Sequence, residues 1–94
     1  MAQLDTGTDT EKIIRAHIRV IGIIQGVGFR PFIYRLAKAL PLTGYVVNTA
    51  AGVTIEAEGT ESDLESFIHS ITEEKPSLAV IDDLQIEKSA VDPA

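Results

Sequence analysis

The chain has 94 residues, enough for one domain with a single small core. A hydrophobic fraction of 45% excludes disorder as the main state, and the absence of cysteine excludes disulfides, a thiol nucleophile and a cysteine-ligated metal. The net charge of −6 argues against a general nucleic-acid-binding protein. Because the only two histidines, His17 and His69, are far apart in sequence and cysteine is absent, we expect no metal site. We also expect no cofactor.

The sequence contains no candidate membrane segment or signal peptide. No apolar run approaches the roughly 18 residues needed to span a bilayer. The first residues, MAQLDTGTDTEK, are polar and acidic rather than basic and then apolar. We therefore expect a cytoplasmic protein that has no membrane partner.

Charge is distributed unevenly along the chain. Residues 1–11 carry three acids and no base, residues 12–55 carry six bases and no acid, and residues 56–94 carry eleven acids and two bases. Two interpretations explain this uneven distribution of charge equally well. Either acidic and basic faces of complementary charge are exposed to solvent, or the basic segment contains a local anion-binding site.

The first half of the chain predicts a strand, a glycine-containing loop and a helix. Residues 14–24 alternate between apolar and polar side chains, which predicts a strand with one wet face and fuller coverage towards its end. Residues 25–30 (QGVGFR) interrupt this alternation. Pro31 then predicts the first position of an amphipathic helix that ends near Pro41, because proline is favoured there.

The second half predicts a hairpin, a helix and a final strand. Ser62 followed by Glu65 is a capping-box pattern that predicts the start of the second helix, and Pro76 marks its end. We expect this acidic helix to present a solvated face. The other predicted elements are a strand over residues 43–49, a turn over 50–52, a strand over 53–58 and a strand over 78–88.

The predicted order β-α-β-β-α-β is typical of the ferredoxin-like sandwich of the α+β class, with two helices on one face of an antiparallel sheet. In this fold the loop over residues 25–30 connects a central strand to the N-terminus of the first helix. The two glycines allow the backbone N–H groups to converge on a ligand, the helix dipole favours an anion, and Arg30 adds a guanidinium. Alternatively, the glycines form only a tight turn.

Asn48 is a second candidate site residue, since it stands at the end of a predicted strand, where asparagine is disfavoured. Its amide can orient a water molecule by donating and accepting hydrogen bonds, although it cannot act as a general base. The alternative interpretation is a residue that simply ends the strand. Neither histidine is expected to be catalytic. Tyr34 and Tyr45 are expected to be packing residues or to lie at the rim of the site.

Two segments resemble the acylphosphatase family. Residues 22–30 (GIIQGVGFR) are similar to its first motif, and residues 44–48 (GYVVN), followed by Gly52, are similar to its second. Gly28 within QGVGFR, followed by Pro31, resembles the N-terminal acylphosphatase-like domain of the hydrogenase-maturation carbamoyltransferases (HypF) more than free-standing acylphosphatases. The similarity spans roughly residues 14–88.

This resemblance implies hydrolysis of an acyl phosphate, with carbamoyl phosphate the natural candidate, to a carboxylate and phosphate. Arg30 and Asn48 would be catalytic, with Arg30 binding the phosphate and Asn48 positioning the attacking water. The expected partners are a small acyl phosphate, a phosphate or sulfate anion, and further domains of a longer chain. The phosphate-binding loop would consist of Gln25, Gly26, Val27, Gly28, Phe29 and Arg30.

The resemblance also sets the expected boundaries. The family normally adds a fifth strand after residue 94, so we expect that strand to be missing and the chain to be a fragment of a longer protein. We expect a flexible leader over residues 1–12, the acylphosphatase-like domain over 13–88, and a tail over 89–94 that contains the point of truncation.

Two other functions fit this fold class. The domain would bind phosphate without turnover if it were a non-catalytic anion-sensing or protein-docking module. An RNA-recognition domain would need a basic sheet with exposed aromatic side chains, whereas this chain has only five aromatic residues.

Overall fold

The computed structural model describes residues 12–91. Within this range the predicted order and the ferredoxin-like sandwich are confirmed. The elements are β1 (Ile13–Ile23), α1 (Phe29–Ala39), β2 (Thr43–Asn48), β3 (Gly52–Thr60), α2 (Glu61–Glu73) and β4 (Val80–Ala90).

The described strands form one antiparallel sheet in the order β2-β3-β1-β4. β1 and β3 are therefore central, and each helix connects two parallel strands that have a third strand between them. Because α1 follows the C-terminal end of β1, its N-terminus and the loop before it lie at one end of the sheet. No helix within residues 12–91 is long and apolar enough to cross a membrane.

The core lies between the helices and one face of the sheet. Residues directly opposite each other on antiparallel strands point to the same face, and the β1–β3 pairs Ala16–Ala57, Ile18–Ile55 and Val20–Val53 are all buried. The alternation that predicted β1 thus places its apolar side chains beneath the helices. The helices contribute the buried residues Phe29, Phe32, Ile33, Leu64, Phe67 and Ile71.

The opposite, open face of the sheet carries charged cross-strand pairs. The Arg15 side chain donates hydrogen bonds to the carboxylate of Glu58, and Nδ1 of His17 lies within hydrogen-bond distance of the carboxylate of Glu56. The hydrogen bond to Glu58, followed by the charges of both glutamates, raises the pKa of Arg15 despite some desolvation. Part of the basic segment is therefore neutralised by acids of β3 on this face.

Two predicted helix starts are wrong by a few residues. α1 begins at Phe29 after the N-cap Gly28, so Pro31 occupies the third helical position. Proline is accepted there because first-turn N–H groups have no partner within the helix. The N-cap of α2 is Thr60, not Ser62: the Thr60 side chain accepts a hydrogen bond from the Asp63 N–H at 3.2 Å. β3 leads directly into α2, and its last residue, Thr60, has the extended backbone that an N-cap requires.

The ends of β1 and β4, the first and last strands in the sequence, also differ from expectation. Ile23 is 67% exposed although Ile24 is buried, so β1 is not more fully covered at its end. The pairing of β1 with β4 shifts register between Ile21 and Gly22, which interrupts the alternation. β4 continues to Ala90 through its pairing with Ile14, so the predicted tail cannot begin at residue 89. Of the predicted leader, residues 1–11 lie outside the described residues.

Glu61 and Glu65 on the acidic face of α2 are exposed, as expected, and both contact a lysine of β4. Lys88 of β4 lies 3.4 Å from Glu61 and also forms an ion pair with Glu65. These contacts connect the edge strand β4 to the first half of α2. Within residues 12–91, no ion pair joins the basic helix α1 to α2.

Candidate active site

The loop before α1 has the backbone conformation that its glycines predict. Gly26 and Gly28 have φ angles of 77° and 81°, in the left-handed region that favours glycine. A Cβ atom at either position would meet no other atom within 4 Å. The glycines are therefore required by the backbone conformation, and the space beside them is open to a ligand.

The N–H groups of this loop are free to bind a ligand. Among residues 12–91, none of the backbone N–H groups from Gln25 to Arg30 has a hydrogen-bond acceptor. The first hydrogen bond of this turn runs from the Phe32 N–H to the Gly28 carbonyl oxygen, at 3.2 Å. Unpaired N–H groups at a helix N-terminus, together with the helix dipole, form an anion-binding environment.

Phe29 anchors the start of α1 and leaves Arg30 facing solvent. The Phe29 side chain is 2% exposed, and its ring centroid lies 5.7 Å from that of Phe32. Arg30, the next residue, is exposed and forms no ion pair within the described residues. A cation at a helix N-terminus is opposed by the dipole unless an anion lies nearby, so the position of Arg30 favours anion binding.

The end of β2 brings Asn48 to the same end and the same face of the sheet. Asn48 pairs with Val53 of β3, and Val53 pairs with Val20 of β1, three residues before the end of that strand. Val53 and Val20 are buried under the helices, so the register places Asn48 on the helix-covered face. Asn48 is exposed because it is the last residue of β2, at the end of the paired residues Asn48, Val53 and Val20.

Two hydrogen bonds connect the β2–β3 turn to β1 and to the loop. The Gly22 N–H donates to the Ala51 carbonyl oxygen at 3.0 Å. The side-chain Nε2 of Gln25 donates to the Thr49 carbonyl oxygen at 2.9 Å. Sequence reasoning missed both contacts because they join residues that only the fold brings together.

The candidate residues are thus gathered at one end of the molecule, and the histidines are not among them. His17 lies on the open face of the sheet, opposite the helices, and its imidazole contacts Glu56. His69 is an exposed residue of α2. Tyr34 and Tyr45 are 58% and 59% exposed, which fits rim positions better than core positions.

A groove elsewhere on the molecule has a different character. It encloses about 540 Å³ between α1 and β2, and it is lined mainly by apolar side chains such as Ile33, Leu42 and Phe67. It is lined by the beginning of β2, whereas Asn48 is the last residue of that strand. An apolar groove does not compensate the charge of a phosphate, so the loop at the other end is the better anion site.

The helix that follows the loop carries an excess of positive charge. α1 contains no acidic residue, and Arg30, Arg35 and Lys38 are all exposed on it. Within residues 12–91 none of the three forms a salt bridge. Lys38 lies in the last turn of α1, so Arg30 is the cation of this helix that lies beside the loop N–H groups. A cation at this position raises the local concentration of anions.

Comparisons with known proteins agree with this geometry. The family model for acylphosphatase matches residues 16–94. The carbamoyltransferase HypF2 of Cupriavidus necator is 46% identical over 79 residues, which cover 84% of this chain and 10% of that protein. The acylphosphatase of Thermotoga petrophila is 45% identical over 73 residues, which cover 77% of this chain and 80% of that protein.

Solved structures give the same result. Full-length HypF in its phosphate- and nucleotide-bound form superposes with a TM-score of 0.83 at 44% identity, covering 89% of this chain and 11% of that one. The chain therefore spans about a tenth of the length of the carbamoyltransferases that it matches, in contrast to most of the length of an acylphosphatase. From its fold, its two motifs and these matches, the chain belongs to the acylphosphatase family.

Proposed function

We propose that this domain hydrolyses acyl phosphates, with carbamoyl phosphate as its substrate. The proposal is supported chiefly by one observation: the unpaired N–H groups of residues 25–30 and the end of β2 lie at the same end of the sheet, on its helix-covered face. An anion donor set and a water-orienting amide at one place are the two requirements of this reaction.

The phosphate group binds to the loop. Backbone N–H groups from Gln25 to Arg30 donate hydrogen bonds to its oxygen atoms, and the guanidinium of Arg30 neutralises charge on two of them. As the bond to phosphorus breaks, these donors stabilise the charge on the phosphoryl oxygens. The left-handed glycines Gly26 and Gly28 keep the N–H groups directed towards the ligand.

Asn48 holds the attacking water. Its side-chain amide fixes the orientation of the water oxygen relative to phosphorus, in line with the acyl oxygen that leaves. An acyl phosphate is already activated, since its leaving group is a carboxylate. Positioning and charge stabilisation therefore suffice for this hydrolysis.

The reaction is balanced without a further reactant. The water oxygen forms a bond to phosphorus, the bond between phosphorus and the acyl oxygen breaks, and that oxygen keeps the electron pair as a carboxylate. Both water protons remain on the phosphate product, so a dianionic acyl phosphate gives a carboxylate and dihydrogen phosphate. With carbamoyl phosphate the carboxylate is carbamate.

The experiment is to measure phosphate released from carbamoyl phosphate and from benzoyl phosphate. Arg30→Ala and Asn48→Ala are each expected to lower the turnover rate by roughly 10²-fold, the scale for losing one positioned donor to the transition state. Arg19→Ala is the matched control, because Arg19 is an exposed arginine of β1 on the same face as His17, away from the helices. It is expected to leave turnover unchanged.

The other outcomes are also informative. Unchanged turnover in both Arg30→Ala and Asn48→Ala would remove the roles assigned to these residues. Binding of inorganic phosphate without turnover of either substrate would instead favour the anion-sensing module. Faster turnover of benzoyl phosphate than of carbamoyl phosphate would exclude the substrate proposed here.

We further propose that the domain acts in the cytoplasm within a longer carbamoyltransferase for nickel–iron hydrogenase maturation. The support is its identity to HypF proteins, of which it covers about a tenth. There the released carbamate would be passed to the remainder of that protein. The full-length protein carrying Arg30→Ala is expected to lose carbamoyl transfer from carbamoyl phosphate, and retention of this activity would contradict the role.

A further inference from the structure

We propose that the side chain of Gln25 is a positioning residue that acts through the β2–β3 turn on Asn48. This inference rests on the proposed function, and it assigns to Gln25 a role distinct from that of its backbone N–H. The central observation is the 2.9 Å hydrogen bond from Nε2 of Gln25 to the carbonyl oxygen of Thr49, the residue that follows Asn48.

This hydrogen bond joins the loop before α1 to the β2–β3 hairpin. Gln25 belongs to the phosphate-binding loop, and Thr49 lies 24 residues later at the tip of the β2–β3 hairpin. Within residues 12–91, no other side chain of residues 25–30 forms a hydrogen bond to this hairpin. The Gln25 amide is thus the direct side-chain connection between the anion donors and the strand that carries Asn48.

The tip of the turn is positioned by hydrogen bonds and by the strand pairing at its base. Asn48, Thr49, Ala50 and Ala51 are all exposed, so no buried side chain fixes the tip. The tip is closed by hydrogen bonds between Thr49 and Gly52: the Thr49 N–H donates to the Gly52 carbonyl at 2.8 Å, and the Gly52 N–H donates to Oγ1 of Thr49 at 3.0 Å. These bonds close the hairpin, and the pairing of Gly52 with Ile21 holds its base against β1, but neither contacts the loop over residues 25–28.

Two hydrogen bonds join this tip to β1 and to the loop, in addition to the strand pairing of Gly52 with Ile21. One is the backbone hydrogen bond from the Gly22 N–H to the Ala51 carbonyl, and the other is the Gln25 bond to Thr49. Without the Gln25 donor the tip can pivot about the Gly22–Ala51 bond and move the Asn48 amide relative to the bound phosphate. Misplacement by about 1 Å can cost 10²-fold in rate, so even a partial displacement is measurable.

The test variant is Gln25→Met, which keeps the length of the side chain, introduces no charge and removes the donor. It is expected to lower kcat on the order of tenfold and to leave KM and the affinity for inorganic phosphate within about twofold. KM and phosphate affinity should be preserved while kcat falls, because the variant retains the backbone N–H groups that hold the phosphate. Gln85→Met, at an exposed glutamine of β4 whose amide bonds to Asp83, is the matched control and should change neither parameter.

Two measurements separate positioning from a general structural role. In the Asn48→Ala background, Gln25→Met should cause no further loss of kcat, because the residue through which it acts is gone. Amide hydrogen exchange should become faster at Gly22, Thr49 and Gly52, whose N–H groups hold the turn, while the exchange rates of core amides in β1 and β3 stay unchanged.

The outcomes distinguish this inference from the proposed function. If the unmodified chain does not hydrolyse acyl phosphates, the proposed function is wrong and with it the catalytic role of Gln25, whereas the exchange rates still establish whether the side chain holds the turn. If the unmodified chain is active, three results would overturn the inference: unchanged exchange at the turn, a parallel loss of phosphate affinity, or fully additive effects with Asn48→Ala.

Discussion

Gly52 and Val20 approach so closely that a Cβ atom on Gly52 would lie 1.9 Å from the carbonyl oxygen of Val20. Gly52 is the first residue of β3, and Val20 lies in the central strand β1. The sheet therefore leaves no room for a Cβ atom beside the β2–β3 turn, next to Asn48. A glycine at this position allows the start of β3 to approach β1.

Gly52→Ala should consequently separate β3 from β1 at this end. The backbone must shift, because the atom in the way is a main-chain oxygen, and we expect a loss of about 1–3 kcal/mol in the free energy of unfolding. Turnover should also fall, since the shift moves the turn that follows Asn48. Urea denaturation and phosphate release measure the two effects. The control Ala51→Ser changes an exposed position of the same turn and should alter neither; equal behaviour of the two variants would contradict the steric explanation.

Sequence patterns predicted the features that depend on neighbouring residues. The alternation of β1 assigned Ile18 to the core and His17 to the open face, and both assignments agree with the structure. Contacts between distant segments were not predictable from these patterns. The hydrogen bond from Gln25 to Thr49 depends on how the hairpin tip lies against the loop, which no local pattern encodes.

Helix starts illustrate the same limit. Ser62 followed by Glu65 fits the capping-box pattern, but this local pattern does not show where the preceding strand ends. The decision comes from β3, whose pairing with β1 continues to Thr60 and leaves that residue extended at the point where the helix begins. The tertiary pairing thus determines the first residue of α2.

The cap assignment gives a direct prediction. Thr60→Ala should lower the free energy of unfolding by about 1 kcal/mol, because the Asp63 N–H loses its acceptor. Thr60→Ser should retain most of the stability, since its hydroxyl can accept the same hydrogen bond. Thermal and urea denaturation of the two variants provide the measurement. If Ser and Ala cost the same, the hydroxyl of Thr60 does not act as the cap.

The left-handed conformation of Gly28 can be tested separately from the space around it. Gly28→Ala meets no steric obstacle, yet its φ of 81° is unfavourable for alanine, so we expect a loss of about 1 kcal/mol in stability. The affinity for inorganic phosphate should fall as well, because relief of the strain rotates the N–H groups of the loop. Gly28→Asn should lose less of both, since asparagine tolerates this conformation better. Equal losses for Ala and Asn would indicate that φ is not the cause.

The Lys88 ion pairs predict a dependence of stability on alkaline pH. The hydrogen bond to Glu65 is the largest cause, with further contributions from the charges of Glu65 and Glu61, and together they raise the pKa of Lys88 above its ordinary value of 10.5 despite some desolvation. A raised native pKa means that the stabilisation is fully present below the unfolded value and is lost as the pH rises through the native value. Lys88→Met should therefore be less stable than the unmodified chain at pH 8, and this difference in stability should disappear above the native pKa of Lys88.

Urea denaturation of both chains at pH 8 and above that pKa measures the difference in the free energy of unfolding. Salt at 1 M and pH 8 should also reduce the difference, because the ion pair is exposed. A difference that is independent of both pH and salt would assign the effect of Lys88 to the packing of its aliphatic stem.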